Sequence, residues 1–505
     1  MLGSGCLAGL VVEAFVAAEV RQFEQRHCTP FRTLAHRQVE SVSAASRWPD
    51  DNAAPPRRGR QETPLEVLMI DSPGSGSVDS HEAREGPERE VVTGGLGVHI
   101  GLCSPHWPPS RGANGIVSYV AAVRDHFIAR GHEVSVISQE RLYLSDGSAV
   151  SLSPRGTAKV MALAGDRLAR LRGDASGGLP EVGRNVARQI AAAHRIRAFD
   201  LVEMEESFGW SELAASAIPA PVVTRLHGPQ VLKPARHLTD AELCRERERC
   251  QAEARAIRSA AMVTAPTQAI MTAACQSYGR DPARASAVIA NPIPRGHDGA
   301  CWSVDAAEPG HILMVGRFDF WKGGDTMLLA FERLLDLRPD VQLTMVGPDE
   351  GLETAPGERQ GFEAFAASRL SPRTRARISF RGLLKPAEIL PLRMKAMATV
   401  VSSRWENFPY ILLEAMACGC PLVSTDWPGA DEIVIDGHSG LLTPVAEPER
   451  LALALDRLLE HPQQAAAMGA AASQRCAAEF SLDIVGDKLL ACYETVIRDK
   501  QRIAA

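Results

Sequence analysis

Two glutamates lie eight positions apart in the segment 402–419. An apolar strand at 398–401 leads into a polar loop that carries Glu406, and Pro409 follows where a helix can begin. Glu414 falls on an early turn of that helix, so both carboxylates can reach one ligand above the helix start. Paired carboxylate acceptors suit the hydroxyl groups of a sugar and a ribose. On this segment alone, two solvated glutamates explain the pattern equally well.

Two cations follow another predicted strand, at 311–315. Arg317 and Lys322 lie five positions apart in a glycine-containing loop at 316–324. A departing diphosphate carries negative charge, which a fixed guanidinium and a nearby ammonium stabilise as the bond breaks. A basic pair is usually solvated, but it is less often so in a glycine loop at a strand's carboxyl end. The loop therefore predicts an anion site.

Both loops belong to a chain in which strands alternate with helices. The first series of predicted strands comprises 98–103, 133–137, 201–204, 222–224 and 262–265, and the second comprises 311–315, 341–346, 378–381 and 398–401. Such alternation predicts two doubly wound parallel sheets, each covered on both faces. Because ligands of these sheets lie beyond the carboxyl ends of the strands, we expect the site in a cleft between two Rossmann-like halves.

Composition agrees with a globular protein of roughly two or three domains: 505 residues, 45% hydrophobic and 23% charged. A net charge of −6 argues against a protein that coats nucleic acid. The chain has no long uncharged apolar run, and Glu13 interrupts the apolar stretch at 7–16, so we expect neither a transmembrane helix nor a signal peptide. The eleven cysteines include no C-x-x-C pair, which predicts reduced thiols in the cytoplasm.

The sequence divides into four predicted regions. Residues 1–95, rich in Ser, Pro, Gly and charge, predict a largely disordered, low-complexity leader. Residues 96–292 and 293–483 predict the two Rossmann-like domains, and 484–505 predicts a closing helix.

The loop Gly316-Arg317…Lys322-Gly323 and the pair Glu406-x7-Glu414 together resemble the donor-site signature of retaining glycosyltransferases of the GT-B fold, family 4. The segments 379–382, 414–423, 429–434 and 436–442 resemble the same family, over about residues 97–500. The resemblance implies two Rossmann-like domains facing a cleft. It also implies transfer of a sugar from a nucleotide-diphosphate sugar to an acceptor hydroxyl, with the anomeric configuration retained.

The resemblance assigns roles in the second half of the chain. Arg317 and Lys322, in the loop that Gly316 opens, would bind the donor diphosphate. Glu414 would hold the ribose hydroxyls and Glu406 the transferred sugar. Main-chain amides at Asn407 and Phe408 would assist Glu406. The family commonly has a glycine after the first glutamate and another small residue two positions on, where this chain has Asn407 and Pro409, and Pro409 removes one N–H group.

In the first half, the resemblance implies a glycine pair whose amides touch the donor phosphates. Gly115 matches one of them, and Asn114 replaces the other. His227, followed by Gly228, matches the family's histidine beside the reacting sugar. Taken alone, His227 fits a structural role better, and its place after a strand facing the cleft favours the catalytic one. Gly115 could merely begin a helix.

The implied mechanism is front-face attack, in which a donor phosphate oxygen takes the acceptor proton and no covalent nucleophile is needed. The sequence has no D-x-D motif, so we expect Arg317 and Lys322 to replace a metal ion. We therefore expect metal-independent transfer without a cofactor. The acceptor could be a glycan, a glycolipid or a small metabolite, and peripheral contact with the inner face of the membrane stays open.

Two other functions are compatible with parts of the pattern. A catalytically silent GT-B protein that only binds partners is disfavoured by the intact cations and glutamates. An NAD-dependent dehydrogenase would need G-x-G-x-x-G/A after a strand. The glycines at 3–8 have that spacing, but we expect no strand before them. A serine hydrolase is disfavoured because G-x-S-x-G is absent from the sequence.

Overall fold

The computed structural model describes residues 97–111, 114–153, 179–234, 238–293 and 301–504. The predicted leader at 1–95 lies outside the described residues. The described part contains an eight-stranded sheet, a six-stranded sheet and a small three-stranded sheet. The domain boundaries given above stay predictions.

The eight-stranded sheet has the order β4-β3-β2-β1-β5-β6-β7-β8. Its strands are β1 (His99–Cys103), β2 (Glu133–Ser138), β3 (Arg141–Tyr143), β4 (Ala149–Ser151), β5 (Leu201–Glu205), β6 (Val222–Arg225), β7 (Met262–Ala265) and β8 (Ser286–Val288). All neighbours pair in parallel except β2–β3 and β3–β4, which are antiparallel. Its helices are α1 (Gly115–Ala129), α2 (Leu179–Ile196), α3 (Trp210–Ala217), α4 (Asp240–Ser259) and α5 (Gln268–Tyr278).

The six-stranded sheet is parallel throughout, with the order β14-β11-β9-β15-β16-β17. Its strands are β9 (His311–Val315), β11 (Gln342–Val346), β14 (Ile378–Phe380), β15 (Ala398–Val401), β16 (Leu422–Thr425) and β17 (Leu441–Thr443). The small sheet contains β10 (Phe318–Asp319), β12 (Asp349–Ala355) and β13 (Glu358–Gln360). The helices are α6 (Gly324–Leu337), α7 (Phe362–Arg369), α8 (Pro372–Arg375), α9 (Pro386–Lys395), α10 (Tyr410–Ala417), α11 (Pro448–Glu460) and α12 (Pro462–Arg475).

Central strands are short apolar runs because helices cover both faces of each sheet. Every residue of β7, β9 and β15 is buried, and these strands coincide with the predictions at 262–265, 311–315 and 398–401. The predicted alternation is therefore confirmed, while the hairpins β3–β4 and β12–β13 are additions that it did not predict.

Strand order reverses at one place in each sheet, and loops at that place form a crevice for ligands. In the six-stranded sheet β9 lies between β11 and β15, so the loops after β9 and β15 are neighbours. These are the two loops that carry Arg317, Lys322 and Glu406.

The last helix, α13 (Leu482–Ala504), returns to the eight-stranded sheet. Its apolar face, which includes Leu489 and Tyr493, packs in one core cluster with Tyr119 and Phe127 of α1. We call the eight-stranded sheet with α1–α5 and α13 the first lobe, and the six-stranded and small sheets with α6–α12 the second lobe. The outgoing and returning connections between the lobes lie side by side, since the N–H of Ile293 donates to the carbonyl of Phe480 at 2.8 Å.

Candidate active site

A cavity of about 730 Å³ lies between the lobes, at the carboxyl ends of both large sheets. The first lobe lines it at Asn114, His227 and Gly228, and also along α4. The second lobe contributes a set of charged and aromatic residues, namely Arg317, Trp321, Lys322, Trp405 and Glu406. The structure therefore brings both sequence-predicted loops and the predicted histidine to one cavity.

The cation loop after β9 is organised by a buried carboxylate. Asp319 accepts a hydrogen bond from Arg317 Nε at 2.7 Å, and its other oxygen accepts the backbone N–H of Lys322 at 2.7 Å. Asp319 is only 7% exposed, whereas the Arg317 side chain is about half exposed. Asp319 was not among the residues predicted from the sequence, although its position between the two cations was an available signal.

Lys322 and Glu406 form a direct ion pair. Lys322 Nζ lies 2.6 Å from Glu406 Oε1, and the Ser403 hydroxyl donates to the same oxygen at 2.6 Å. Glu406 is 7% exposed, so the pair is held away from bulk solvent, where charge-assisted hydrogen bonds are strong. Of the described residues, none donates to Glu406 Oε2. One carboxylate oxygen is thus fixed by the protein while the residue lines the cavity.

The second glutamate lies apart from this pair. Pro409 precedes α10, as predicted, and Glu414 on that helix accepts from Arg393 Nη2 at 2.8 Å. Arg393 is 1% exposed, and the Glu414 side chain is 24% exposed. Glu414 does not line the 730 Å³ cavity. Its ribose-binding role stays a prediction, and Arg393 was not predicted as its partner.

His227 follows β6 in a turn whose amides are held by Glu206. The His227 ring packs edge-on against Tyr119, with ring centroids 5.0 Å apart. Burial, with the nearby Arg225 guanidinium, holds the pKa of His227 well below its usual range. The imidazole is therefore neutral at pH 7, and it can accept or donate one hydrogen bond at the cavity.

The remaining predicted residues divide between the cavity rim and the core. Asn407 is buried and donates from Nδ2 to the Leu226 carbonyl at 3.2 Å, which joins the lobes beside His227. The Phe408 ring packs in the second-lobe core against Phe480, with centroids 5.7 Å apart. Gly316 follows β9 and donates its N–H to the Val346 carbonyl at 2.8 Å. Their contacts with a donor stay predictions.

Gly115 is the first residue of α1, and Asn114 is its N-cap. Asn114 Oδ1 accepts the N–H of Ile116 at 2.8 Å, which satisfies one of the free donors at the helix start. Asn114, where the resemblance implies a glycine, thus gives α1 a side-chain cap. A Cβ on Gly115 would lie 3.8 Å from the Tyr410 ring of the second lobe, an ordinary contact.

Replacing Asn114 by alanine is expected to lower the free energy of unfolding by about 1 kcal/mol, because the Ile116 donor loses its cap. Denaturant unfolding measures this change. Asn114→Asp keeps a capping oxygen and is expected to stay near the wild type; equal loss in both variants would contradict the capping assignment.

In the described ranges, which lack 1–96 and four short internal segments, no group of three or more His, Cys, Asp or Glu side chains could hold a metal ion. The same ranges contain no helix long and apolar enough to cross a membrane.

Two family models match the chain, one in each half. The model described as Glycosyltransferase Family 4 matches residues 113–295, and the model described as Glycosyl transferases group 1 matches residues 304–475.

Curated relatives align over a shorter stretch. A glycogen synthase from Mycobacterium tuberculosis is 29% identical over 214 residues, 42% of this chain and 49% of the relative. A D-inositol 3-phosphate glycosyltransferase from Segniliparus rotundus is 32% identical over 187 residues, 37% of this chain and 40% of the relative. The chain spans about half the length, or less, of the curated relatives it matches.

Solved structures show the same fold over most of the chain. Sucrose-phosphate synthase from Thermosynechococcus elongatus superimposes with a TM-score of 0.62 at 20% identity, covering 80% of this chain and all of that chain. Anabaena HepE, solved with UDP and glucose, gives 0.53 at 20% identity over 79% of this chain and all of that chain. With both halves matched in sequence and the two-sheet architecture matched in structure, the predicted fold is confirmed, and the chain belongs to the GT-B glycosyltransferases of family 4, the glycosyl transferases group 1.

Proposed function

We propose that the protein transfers a sugar from a nucleotide-diphosphate sugar to an acceptor hydroxyl, with retention and without a metal ion. The observation that carries the proposal is the ion pair between Lys322 and Glu406 in the cavity that Arg317 also lines. A cation and a sugar-binding carboxylate are thereby held next to each other, at the place where a glycosyl–phosphate bond would break.

The donor diphosphate would lie against the loop after β9. Arg317 uses Nε for Asp319, and its Nη groups have no hydrogen bond to another described residue. They can form two parallel hydrogen bonds with phosphate oxygens. Lys322 would neutralise charge as the diphosphate departs, a role that a divalent cation plays elsewhere. The UDP and glucose bound by Anabaena HepE support a nucleotide-sugar donor.

In this proposal the acceptor hydroxyl attacks the anomeric carbon from the same face that the diphosphate leaves. The anomeric configuration of the sugar is therefore retained. Glu406 would accept hydroxyl groups of the transferred sugar through Oε2, while Lys322 and Ser403 hold its Oε1. His227, whose imidazole is neutral and lines the cavity, would contact the same sugar from the first lobe. Positioning and electrostatic stabilisation then supply the rate enhancement.

We propose further that the acceptor carries an anionic group. On the first-lobe side, Lys233, Arg245 and Arg249 line the cavity, together with Glu242 and Glu246. Arg249 is fixed by Glu253 at 2.6 Å and by stacking over the Phe208 ring, 4.2 Å from its centroid. Arg245 lies one helical turn earlier on α4 and has no ion pair with a described residue. A relative named for inositol 3-phosphate supports an acceptor of this class.

The thiol chemistry supports a cytoplasmic location. None of the cysteines that the structure describes forms a disulfide, and burial raises the pKa of several of them, Cys476 to about 12. Such thiols are unreactive structural groups of the kind that persists in a reducing compartment.

Donor binding is tested by thermal shift against UDP-, GDP- and ADP-sugars. We expect one of these classes to raise the melting temperature of the wild type, while Arg317→Ala and Glu414→Ala respond less. Arg373→Ala is the matched control, because the Arg373 side chain on α8 is about half exposed and does not line the cavity. Its melting temperature should rise with the donor as in the wild type. If no nucleotide sugar stabilises the wild type, or the variants respond equally, the donor-site assignment is wrong.

Turnover with the identified donor then separates the proposal from its alternative. Transfer to phosphorylated or carboxylated acceptors, unaffected by EDTA, is expected for a metal-independent enzyme. Loss of turnover in EDTA would contradict metal independence. Donor binding without transfer to any acceptor would indicate a GT-B protein that only binds.

A further inference from the structure

The turn after β6 carries His227, and a single buried carboxylate holds its backbone. Glu206 Oε2 accepts the N–H of His227 at 2.8 Å, and Glu206 Oε1 accepts the N–H of Gly228 at 2.8 Å. Glu206 follows β5, the neighbour of β6 in the sheet, and its own N–H donates to the Arg225 carbonyl at 3.2 Å. It is fully buried, so it cannot touch a substrate.

The second lobe contacts the same turn from the opposite side. Asn407 donates to the Leu226 carbonyl, the residue before His227. A Cβ on Gly228 would lie 3.6 Å from the Trp405 ring. The turn is therefore fixed between Glu206 beneath it and the Glu406-bearing loop across the cavity, and its path determines where the His227 ring points.

We propose that Glu206 is a positioning residue for transfer: its two carboxylate oxygens set the backbone of the His227–Gly228 turn and thereby place the His227 ring on the donor sugar. The inference rests on the proposed function for the sugar, and it adds a residue that the family resemblance did not assign. Loss of one acceptor would leave a partly buried N–H group unpaired, which we expect to rotate or loosen the turn.

The hydrogen bonds from His227 and Gly228 to Glu206 depend on pH, because Glu206 titrates. Burial, with the neighbouring Glu253 carboxylate, raises the pKa of Glu206 to about 8, against the opposing hydrogen bond from His227. The charged and titratable groups that face it are Glu205 on β5, Arg249 and Glu253 on α4, and Tyr278 on α5, whose hydroxyl donates to Glu253. A protonated oxygen is a poor acceptor, so both N–H groups are fully satisfied only in the ionised form.

Ionisation of Glu206 is expected to raise kcat, whereas the same rise in pH lowers the free energy of unfolding. We expect kcat to rise with pH up to about 8, because ionised Glu206 accepts hydrogen bonds from both N–H groups of the turn. The folded protein keeps a proton that the unfolded chain releases from about pH 4.3 upward. This group therefore lowers the free energy of unfolding as pH rises from there to about 8.

The test compares Glu206→Gln with Glu205→Gln, which neutralises the adjacent, partly buried carboxylate. For Glu206→Gln, assayed above pH 8 where the wild-type Glu206 is ionised, we expect kcat to fall about 10- to 100-fold, with the donor KM changed less than about twofold, and the pH dependence near 8 to disappear. Hydrogen exchange at His227 and Gly228 should speed up without a change elsewhere in the first lobe. Glu205→Gln should keep wild-type kcat and exchange at the turn.

A second variant covers the case in which Glu206→Gln does not fold. Glu206→Asp keeps the charge but is too short to reach both amides, so kcat should fall while the rise with pH remains. Wild-type kcat in either variant, or exchange that increases uniformly across the lobe, would overturn the positioning role. Because exchange at the turn needs no substrate, it tests Glu206 even if the wild type shows no transfer and the proposed function is wrong.

Discussion

Replacing Lys322 by alanine is expected to lower kcat for sugar transfer by about 10²- to 10³-fold. The ammonium lies 2.6 Å from Glu406 in the cavity that Arg317 also lines. Its loss would remove positive charge where the diphosphate departs and leave a nearly buried carboxylate without its cation. Like-charge repulsion between Glu406 and the donor phosphates then adds to the barrier. Steady-state kinetics with the donor identified by thermal shift measure the effect.

Lys395→Ala is the matched control, because Lys395 also pairs with a glutamate, Glu308, at 2.9 Å, but on the exposed surface. Its kcat should equal that of the wild type. A Lys322→Ala enzyme that retains more than a tenth of wild-type kcat would show that this ammonium does not stabilise the leaving group. A parallel loss of folded protein would be visible in the melting temperature and would be corrected for.

Replacing Gly323 by alanine is expected to cost more than about 4 kcal/mol of folding free energy, enough to prevent accumulation of folded protein. A Cβ at this position would lie 2.0 Å from the Ser402 carbonyl oxygen, and Gly323 has φ +62°, a left-handed conformation that alanine adopts poorly. The clash is with backbone and cannot be relieved by a side-chain rotation. Chemical denaturation, or soluble yield where none survives, measures the loss.

Gly357 provides a control that separates the two causes. It has φ +79°, similar to that of Gly323, but nothing lies within 4 Å of the Cβ it would carry. Gly357→Ala should therefore cost only the conformational penalty, about 1–2 kcal/mol. Equal losses in the two variants would mean that the approach of Gly323 to Ser402 is not limiting.

The close approach at Gly323 also explains why the two donor-side loops act as one unit. The Ser402 hydroxyl donates to the carbonyls of Lys322 and Gly323, each at 3.0 Å. The loop after β15 is thereby attached to the loop after β9, and the Lys322–Glu406 ion pair sits directly beside this attachment. A bulkier residue at Gly323 is expected to disturb the site and the fold together.

Sequence reasoning located the two loops but not their contacts. Strand–helix alternation and the position of each loop at a strand's carboxyl end were enough to bring Arg317, Lys322 and Glu406 to one crevice. The pairing of Lys322 with Glu406 joins residues 84 positions apart, and nothing in the local pattern specifies which cation meets which carboxylate.

The residues that were missed are buried charges. Asp319, Glu206 and Arg393 have side chains that usually mark solvated surface, and their burial depends on partners supplied by distant strands and helices. Glu206 did carry one usable signal, since it directly follows a strand whose carboxyl end faces the cleft. The hairpin β3–β4 was missed because strands of three residues show no periodicity.

We expect the hydrogen bond between Ile293 and Phe480 to limit how the two lobes move against each other. A single connection between the lobes would allow rotation in any direction. We expect two adjacent connections, joined by the 2.8 Å hydrogen bond from Ile293 to Phe480, to favour rotation about one axis. Rotation about an axis through Ile293 and Phe480 would break the hydrogen bond between Asn407 and Leu226. Rotation about a perpendicular axis would strain both connections at once. We expect substrate entry and product release to require the same rotation of one lobe against the other.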